Sequence, residues 1–279
     1  MPIHDQGYRR YQGDRAAAGR AWQVIAQAGV RGIISQRKFL FLLLLAWAPF
    51  IVRAVQVYLA ANFQQASFLA PRADTFREFM DQQGVFVFFV TIYVGAGLIA
   101  ADRRANALQL YLSKPLTRFE YVAGKMAILF LFLLLVTWAP AISLLVVQIA
   151  FAGSFTFFLA HLFLLPAITL FALVQILLAA TTMLALSSMS KSSRFVGIMY
   201  AGVMFFTSAL FNAVRGITRS SGLAWISPSA ALEQLGDVIF RLPPRYDLPP
   251  FVAGLTVLGL IAVSVLILER RVRGVEVVT

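Results

Sequence analysis

Apolar residues in this chain come in long blocks, and polar residues are confined to the gaps between them. Six blocks stand out, at about 39–59, 84–101, 126–150, 158–186, 195–214 and 251–268. Each is long enough to cross a hydrocarbon core of ~30 Å at ~1.5 Å per helical residue. Each must be helical, because a loop or open strand in lipid leaves backbone N–H and C=O groups unpaired at a cost of several kcal/mol apiece. The expected fold is all-α, a polytopic membrane protein whose residues 39–279 form a single six-helix transmembrane domain. The fourth block is the longest, so it is expected to tilt or to break near Pro166.

The gaps have patterns of their own. The arm, residues 1–38, contains GRAWQVIAQAGVRGIISQRKF. Trp22, Ile25, Ala26, Val30 and Ile33 recur there at helical spacing, with Arg20, Gln27 and Arg31 on the other side. This predicts an amphipathic interfacial helix lying on the membrane surface; packing against a soluble partner is the alternative. The gap at 60–83 is short, of mixed charge, and holds no ligand cluster. The gap at 215–250 is longer. In it Ser227 is placed to cap a helix that begins with Pro228, and Leu232, Leu235 and Ile239 form an apolar stripe. A short helix on or dipping into the outer surface is expected, acting as a lid. RLPPRYDLPP then reads as a stiff, extended connector.

The gap at 102–125 is about two dozen residues where four would connect two spans. Ala105, Leu108, Leu110 and Leu112 predict a prolongation of the second helix along the surface. Pro115 ends it, since proline lacks an N–H and its predecessor resists the helical region. Thr117 and Glu120 then have capping-box spacing for a new helix. The predicted unit is a rigid elbow that returns to the membrane at Lys125, which is placed to snorkel to the interface.

Composition agrees with the blocks: 60% of the residues are hydrophobic and 13% charged, where a soluble domain carries roughly a quarter charged. The net charge of +12 acquires meaning from its placement. Of the 24 lysines and arginines, 17 fall in the arm, the second and fourth gaps and the C-terminal tail, six fall in the other gaps, and Arg53 lies inside the first block. The positive-inside rule then puts both termini in the cytoplasm. The charge serves topology and anionic lipid rather than nucleic acid. The first block follows some 38 polar residues and exceeds a usual signal h-region, so it is expected to stay as a signal anchor.

Candidate chemistry is sparse. The chain has no cysteine, which excludes disulfides, thiolate metal ligands and cysteine nucleophiles. It has no HExxH and no cluster of His, Cys and Asp. The two histidines are His4 in the arm and His161, expected to be a packing residue. Gly124-Lys125 ends FEYVAGKM, but Phe119 and Met126 stand where a phosphate-binding loop needs glycine and Ser or Thr. Gly95 and Gly97 are expected to serve helix packing. No catalytic, metal or cofactor site is predicted. Arg53 is the one ionisable residue inside a block, with a snorkelling, structural-pair or pathway role. No acidic residue falls inside any block, which argues against an ion-driven carrier.

The stretch GLIAADRRANALQLYLSKPLTRFEYVAGK, Gly97–Lys125, resembles the loop after the second span in type-2 ATP-binding-cassette (ABC) permeases. The matching residues are Asp102, then Ser113-Lys114-Pro115-Leu116-Thr117-Arg118, Tyr121 and Gly124-Lys125. The layout agrees along the chain, with an amphipathic N-terminal helix, six spans, the turn SMSKSSR and the segment ISPSAALEQL before the last span. The resemblance implies the permease subunit of an ATP-driven transporter, mostly an exporter, in a bacterial inner membrane. Two permeases, identical or paralogous, would pair with two copies of a separate ATPase that holds the ATP and Mg. This chain itself would not be an enzyme. Leu116–Val122 would be the coupling helix, so that Pro115, Leu116, Thr117, Arg118, Phe119, Glu120 and Tyr121 would contact the ATPase. Ser190, Lys191 and Arg194 would make a second, minor contact. The alternative is an ATP-driven transmitter or scaffold that acts on a partner protein, for instance on the outer side, instead of moving a solute. A membrane enzyme is the third reading, and the missing catalytic cluster argues against it.

Overall fold

The computed structural model describes residues 20–65, 73–107, 117–151 and 161–272. His4, Lys114, Pro115, Leu116 and the leucine-rich part of the 102–125 loop lie outside the described residues. Everything regular among the described residues is helical: α1 (Ala21–Ile34), α2 (Arg37–Ala46), α3 (Ala48–Asn62), α4 (Ala73–Val90), a π turn at Thr91–Gly95, α5 (Ala100–Arg104), α6 (Arg118–Val136), α7 (Trp138–Phe151), α8 (Leu164–Met189), α9 (Ser193–Thr218), a 3-10 turn at Ala224–Ile226, α10 (Pro228–Ile239) and α11 (Pro250–Arg271). Six of the resulting helical stretches are long and apolar enough to span a membrane: Arg37–Asn62, Asp74–Arg104, Arg118–Phe151, Leu164–Met189, Ser193–Thr218 and Pro250–Arg271. The protein is thus an all-α molecule with six candidate membrane spans.

Prolines mark the irregular points of the first and third spans. The first span bends at Trp47, two residues before Pro49, and the third at Thr137, three before Pro140. A helical proline cannot donate to the carbonyl four residues earlier, and its ring crowds that carbonyl. Thr137 eases the bend, because its hydroxyl donates to the Leu133 carbonyl at 2.8 Å. Pro166 behaves differently from expectation. It sits in the first turn of α8, where its missing N–H is an orphan anyway, and α8 runs on unbroken to Met189. One glycine of the second span permits close packing, since a Cβ on Gly95 would meet Met183 Cγ at 2.4 Å, whereas one on Gly97 would make only an ordinary contact with Ser193 Oγ at 3.4 Å.

One expectation needs correction. Residues 73–83 are not an outer loop but the start of α4, so the second span begins at Asp74 and carries Asp74, Arg77, Glu78 and Asp81. Acidic residues therefore do occur in the helix that forms the second candidate span. In the 215–250 segment the expected helix dips into the bundle instead of lying on it. That helix, α10, is capped as expected, with Ser227 Oγ accepting from the Ala230 N–H. It packs into the bundle against α8, α9, α11 and α4. Its fully buried face is Ala230, Ala231, Gln234, Gly236 and Asp237, whereas Leu232, Leu235 and Ile239 are half-buried beside it. Small residues let the backbones approach; larger ones at those positions would hold α10 off.

The bundle keeps a large apolar exterior. Phe41, Leu44, Phe205, Phe206, Ile217, Phe251 and Leu255 are all exposed. A surface of that kind in water would be an association hazard; in lipid it faces its own kind.

Candidate functional site

The residues singled out from the 97–125 motif meet at one end of the bundle. α4, the π turn and α5 deliver Asp102, and α6 delivers Tyr121 and Lys125. Lys125 Nζ lies 2.8 Å from Asp102 Oδ2, and the Tyr121 hydroxyl donates to the same oxygen at 2.8 Å. The ammonium also sits 5.5 Å from the Tyr121 ring centre. Tyr121 is fully buried, in a cluster with Ile99, Leu184, Ala185, Leu268 and Val272. Both ends of the loop are thus clamped together. A third helix braces them. Ser187 Oγ of α8 accepts from the Ile99 and Ala100 N–H groups at 3.1 and 3.0 Å and donates to the Ala96 carbonyl at 3.0 Å. Those are backbone groups that the π turn frees from regular pairing. Arg103 donates to the Ser188 carbonyl.

Above this clamp α6 begins with the predicted capping box. Thr117 Oγ1 accepts from the Glu120 N–H at 3.2 Å, and Glu120 Oε2 accepts from the Thr117 N–H at 3.0 Å. The two bonds satisfy orphan donors of the first turn. Arg118 and Phe119 project outward, Phe119 with 80% of its surface exposed, while Glu120 is buried. The turn between α8 and α9 lies at the same end. Ser190 Oγ accepts from the Ser192 N–H at 3.0 Å, Ser192 caps α9, and Lys191 and Arg194 are exposed. Of the residues assigned to an ATPase contact, Thr117–Tyr121, Ser190, Lys191 and Arg194 therefore share one end of the molecule. Glu120 and Tyr121 face inward, and Pro115 and Leu116 lie outside the described residues.

Helix α1 leans on α6 at this end. Ile25, Ala26, Val30 and Ile33 pack half-buried against the bundle, but Trp22 remains 37% exposed. A Cβ on Gly124 would stand 2.9 Å from both Ile25 Cβ and the Trp22 carbonyl oxygen. The amphipathic arm helix is thus docked on protein through the face expected to meet lipid.

The opposite end holds a cluster that the sequence pattern did not reveal. Asp102 is 25 residues beyond Arg77 along the second span, a distance of roughly 35 Å at ~1.5 Å per residue. Arg77 is completely buried. Its guanidinium pairs with Asp81, lies 3.2 Å from Asp237 Oδ1, donates to the Glu233 carbonyl at 3.0 Å and covers the Phe171 ring at 4.6 Å. Arg245 closes the square, reaching Asp81 at 2.5 Å and Asp237 at 3.0 Å. Two arginines and two carboxylates make a neutral unit, which a buried site requires. Burial pushes the Asp237 carboxyl up, and Arg245 and Arg77 pull it back only in part. Next to the square, the Tyr246 hydroxyl donates to Glu233 at 2.6 Å. Burial and then the Glu233 carboxylate hold that phenol well above its usual range. Gln234 ties the connector down, donating to the Tyr246 and Leu248 carbonyls and accepting from the Tyr246 N–H. RLPPRYDLPP is therefore fastened to α10 rather than a free spacer. Arg53, on α3, pairs with Glu78 of α4 at 3.2 Å. Among the described residues no group of three His, Cys, Asp or Glu could hold a metal ion.

Fold and site together define a multi-pass α-helical membrane protein with a clamp at one end of its bundle and an ion square at the other. The chain matches no protein-family model and no curated protein sequence.

Proposed function

We propose that this chain is the permease subunit of an ATP-driven exporter of the ABC type. The observation that carries this reading is the meeting of Asp102, Tyr121 and Lys125 from the two ends of the motif, directly beneath a capped helix start that exposes Phe119. A loop that only joined two spans would need neither. In this reading the Phe119 end faces the cytoplasm of a bacterium, both termini lie there, and a separate ATPase docks against Arg118 and Phe119 with Lys191 and Arg194 as a smaller contact. ATP and Mg stay on that partner, two copies of which serve two permeases. ATPase closure would push on the start of α6. The Asp102–Lys125 and Ser187 ties would pass the push to the second and fourth spans, as a two-state element biased by a ligand.

The test is reconstitution with the ATPase subunit. Phe119→Ala removes an exposed ring and should leave folding intact while it lowers permease-stimulated ATP hydrolysis and transport. Glu120→Ala should do the same with a loss of about 1 kcal/mol in helix capping. Full ATPase stimulation and transport in both variants would sink the proposal.

A further inference from the structure

Between α4, α8, α9 and α10 lies a half-open cavity of about 540 Å³. Phe88, Phe89, Phe171, Met204 and Phe205 supply much of its wall, with Leu178 and Leu232. Its polar groups gather toward α10, where Asp81, Glu233, Ser208 and Ser229 border it. No arginine or lysine among the described residues lines it. Asp81 is neutralised by Arg77 and Arg245. Glu233 is not: its carboxylate accepts from Tyr246 and has no ion-pair partner among the described residues. Arg245 acts on it only through space, with its guanidinium committed to Asp81 and Asp237. A second observation comes from the α8 wall. Gln175 is 7% exposed, and its Oε1 has no hydrogen-bond partner among the described residues. Gln175 also lines the cavity, so a turn of its amide toward a bound donor would satisfy an acceptor that is otherwise buried and unpaired.

We infer that this cavity binds a lipophilic amine, with its ammonium at Glu233 and its apolar body among the phenylalanines. An ammonium supplies the missing charge for Glu233 and offers several donors at once, while aromatic walls attract cations as well as hydrocarbon. A phosphate or carboxylate head would meet the unpaired Glu233 carboxylate and, among the described residues, no wall cation, so the same rim disfavours anionic lipid. That the amine is cargo rests on the exporter reading; that it binds does not.

The experiment uses the purified full chain in phosphatidylcholine nanodiscs, without ATPase, and three probes: pyrenylbutylamine, pyrenylbutanol and pyrenylbutyrate. Fluorescence anisotropy is measured against empty nanodiscs. The amine should saturate and bind at least about tenfold more tightly than the alcohol, with the acid weakest. Glu233→Gln keeps an acceptor for Tyr246 and should erase the amine's advantage while leaving the alcohol's binding unchanged. Ala179→Phe, which fills the wall, should weaken amine and alcohol alike and serves if Glu233→Gln does not fold. Equal binding of the three probes, retained discrimination in Glu233→Gln, or full displacement of the amine by phosphatidylethanolamine would each overturn the inference. Saturable binding without ATP-driven amine efflux would refute the cargo role and leave the site standing. Absence of binding in a chain that still stimulates its ATPase would refute the site alone.

Discussion

The guanidinium of Arg77 lies against the backbone of Gly236, so closely that a Cβ there would stand 2.5 Å from its Nε and Nη2. The contact joins α4 to α10 and explains how an arginine in the second span can be fully buried. Gly236→Ala should therefore push α10 off the ion square. Overpacking of this kind costs about 1–3 kcal/mol, and a lowered thermal midpoint of the purified protein in detergent would register it. An unchanged midpoint would mean that the helices yield more readily than their packing indicates.

The ion square predicts non-additivity. Arg77→Met removes one cation and leaves Asp237 with Arg245 alone, at a cost of about 3–5 kcal/mol. Asp237→Asn in the same chain removes the carboxylate that Arg77 left behind. The double variant should lose less than the sum of the singles, with a coupling of about 1–3 kcal/mol in a double-mutant cycle. Additive losses would show that Asp81 alone holds Arg77.

These two results bear on what the sequence made legible. The spans followed from block length, and the caps at Thr117 and Ser227 followed from local spacing, because each depends on neighbours within four residues. The ion square joins Arg77 and Asp81 to Asp237 and Arg245, more than 150 positions apart. Along the chain each of these residues looks like an ordinary polar loop residue, and only the docking of α10 makes them partners. One signal was available: Arg77 and Asp81 are four residues apart with Phe76, Phe79 and Met80 beside them, a helical spacing inside a nominal loop. For the 102–125 loop, the pattern identified Asp102, Tyr121 and Lys125 by resemblance, but not that they touch.

The arm helix offers a different test, since its docking on α6 runs through Gly124. Gly124→Leu places four carbons where Ile25 and the Trp22 carbonyl already sit, and no flexible side-chain end can give way to them. The expected effect is detachment of α1, seen as faster proteolysis between residues 20 and 36, with the six spans intact. The wild-type contact can be trapped directly. Ile25→Cys with Gly124→Cys puts two Cβ atoms 2.9 Å apart, inside the roughly 3.5–4.5 Å of a disulfide, so an outward shift of about 1 Å would let mild oxidation cross-link the pair. Failure to cross-link would mean that the arm lies on lipid instead.

Sidedness can be settled with single cysteines, because the chain has none of its own and every labelled thiol is the introduced one. Phe119 and Ile217 are both exposed, at 80% and 83%, and occupy opposite ends of the bundle: Phe119 opens α6 beside the Asp102 clamp, and Ile217 lies at the far end of α9, whose start is at the clamp end. The excess of lysine and arginine at the Phe119 end predicts that this end is cytoplasmic. A membrane-impermeant maleimide should therefore label Ile217→Cys in intact spheroplasts and Phe119→Cys only in inverted vesicles. Inverted labelling would place the clamp outside, where no ATP is available, and would remove the exporter reading together with its docking face. Labelling of both from one side would break the six-span count itself.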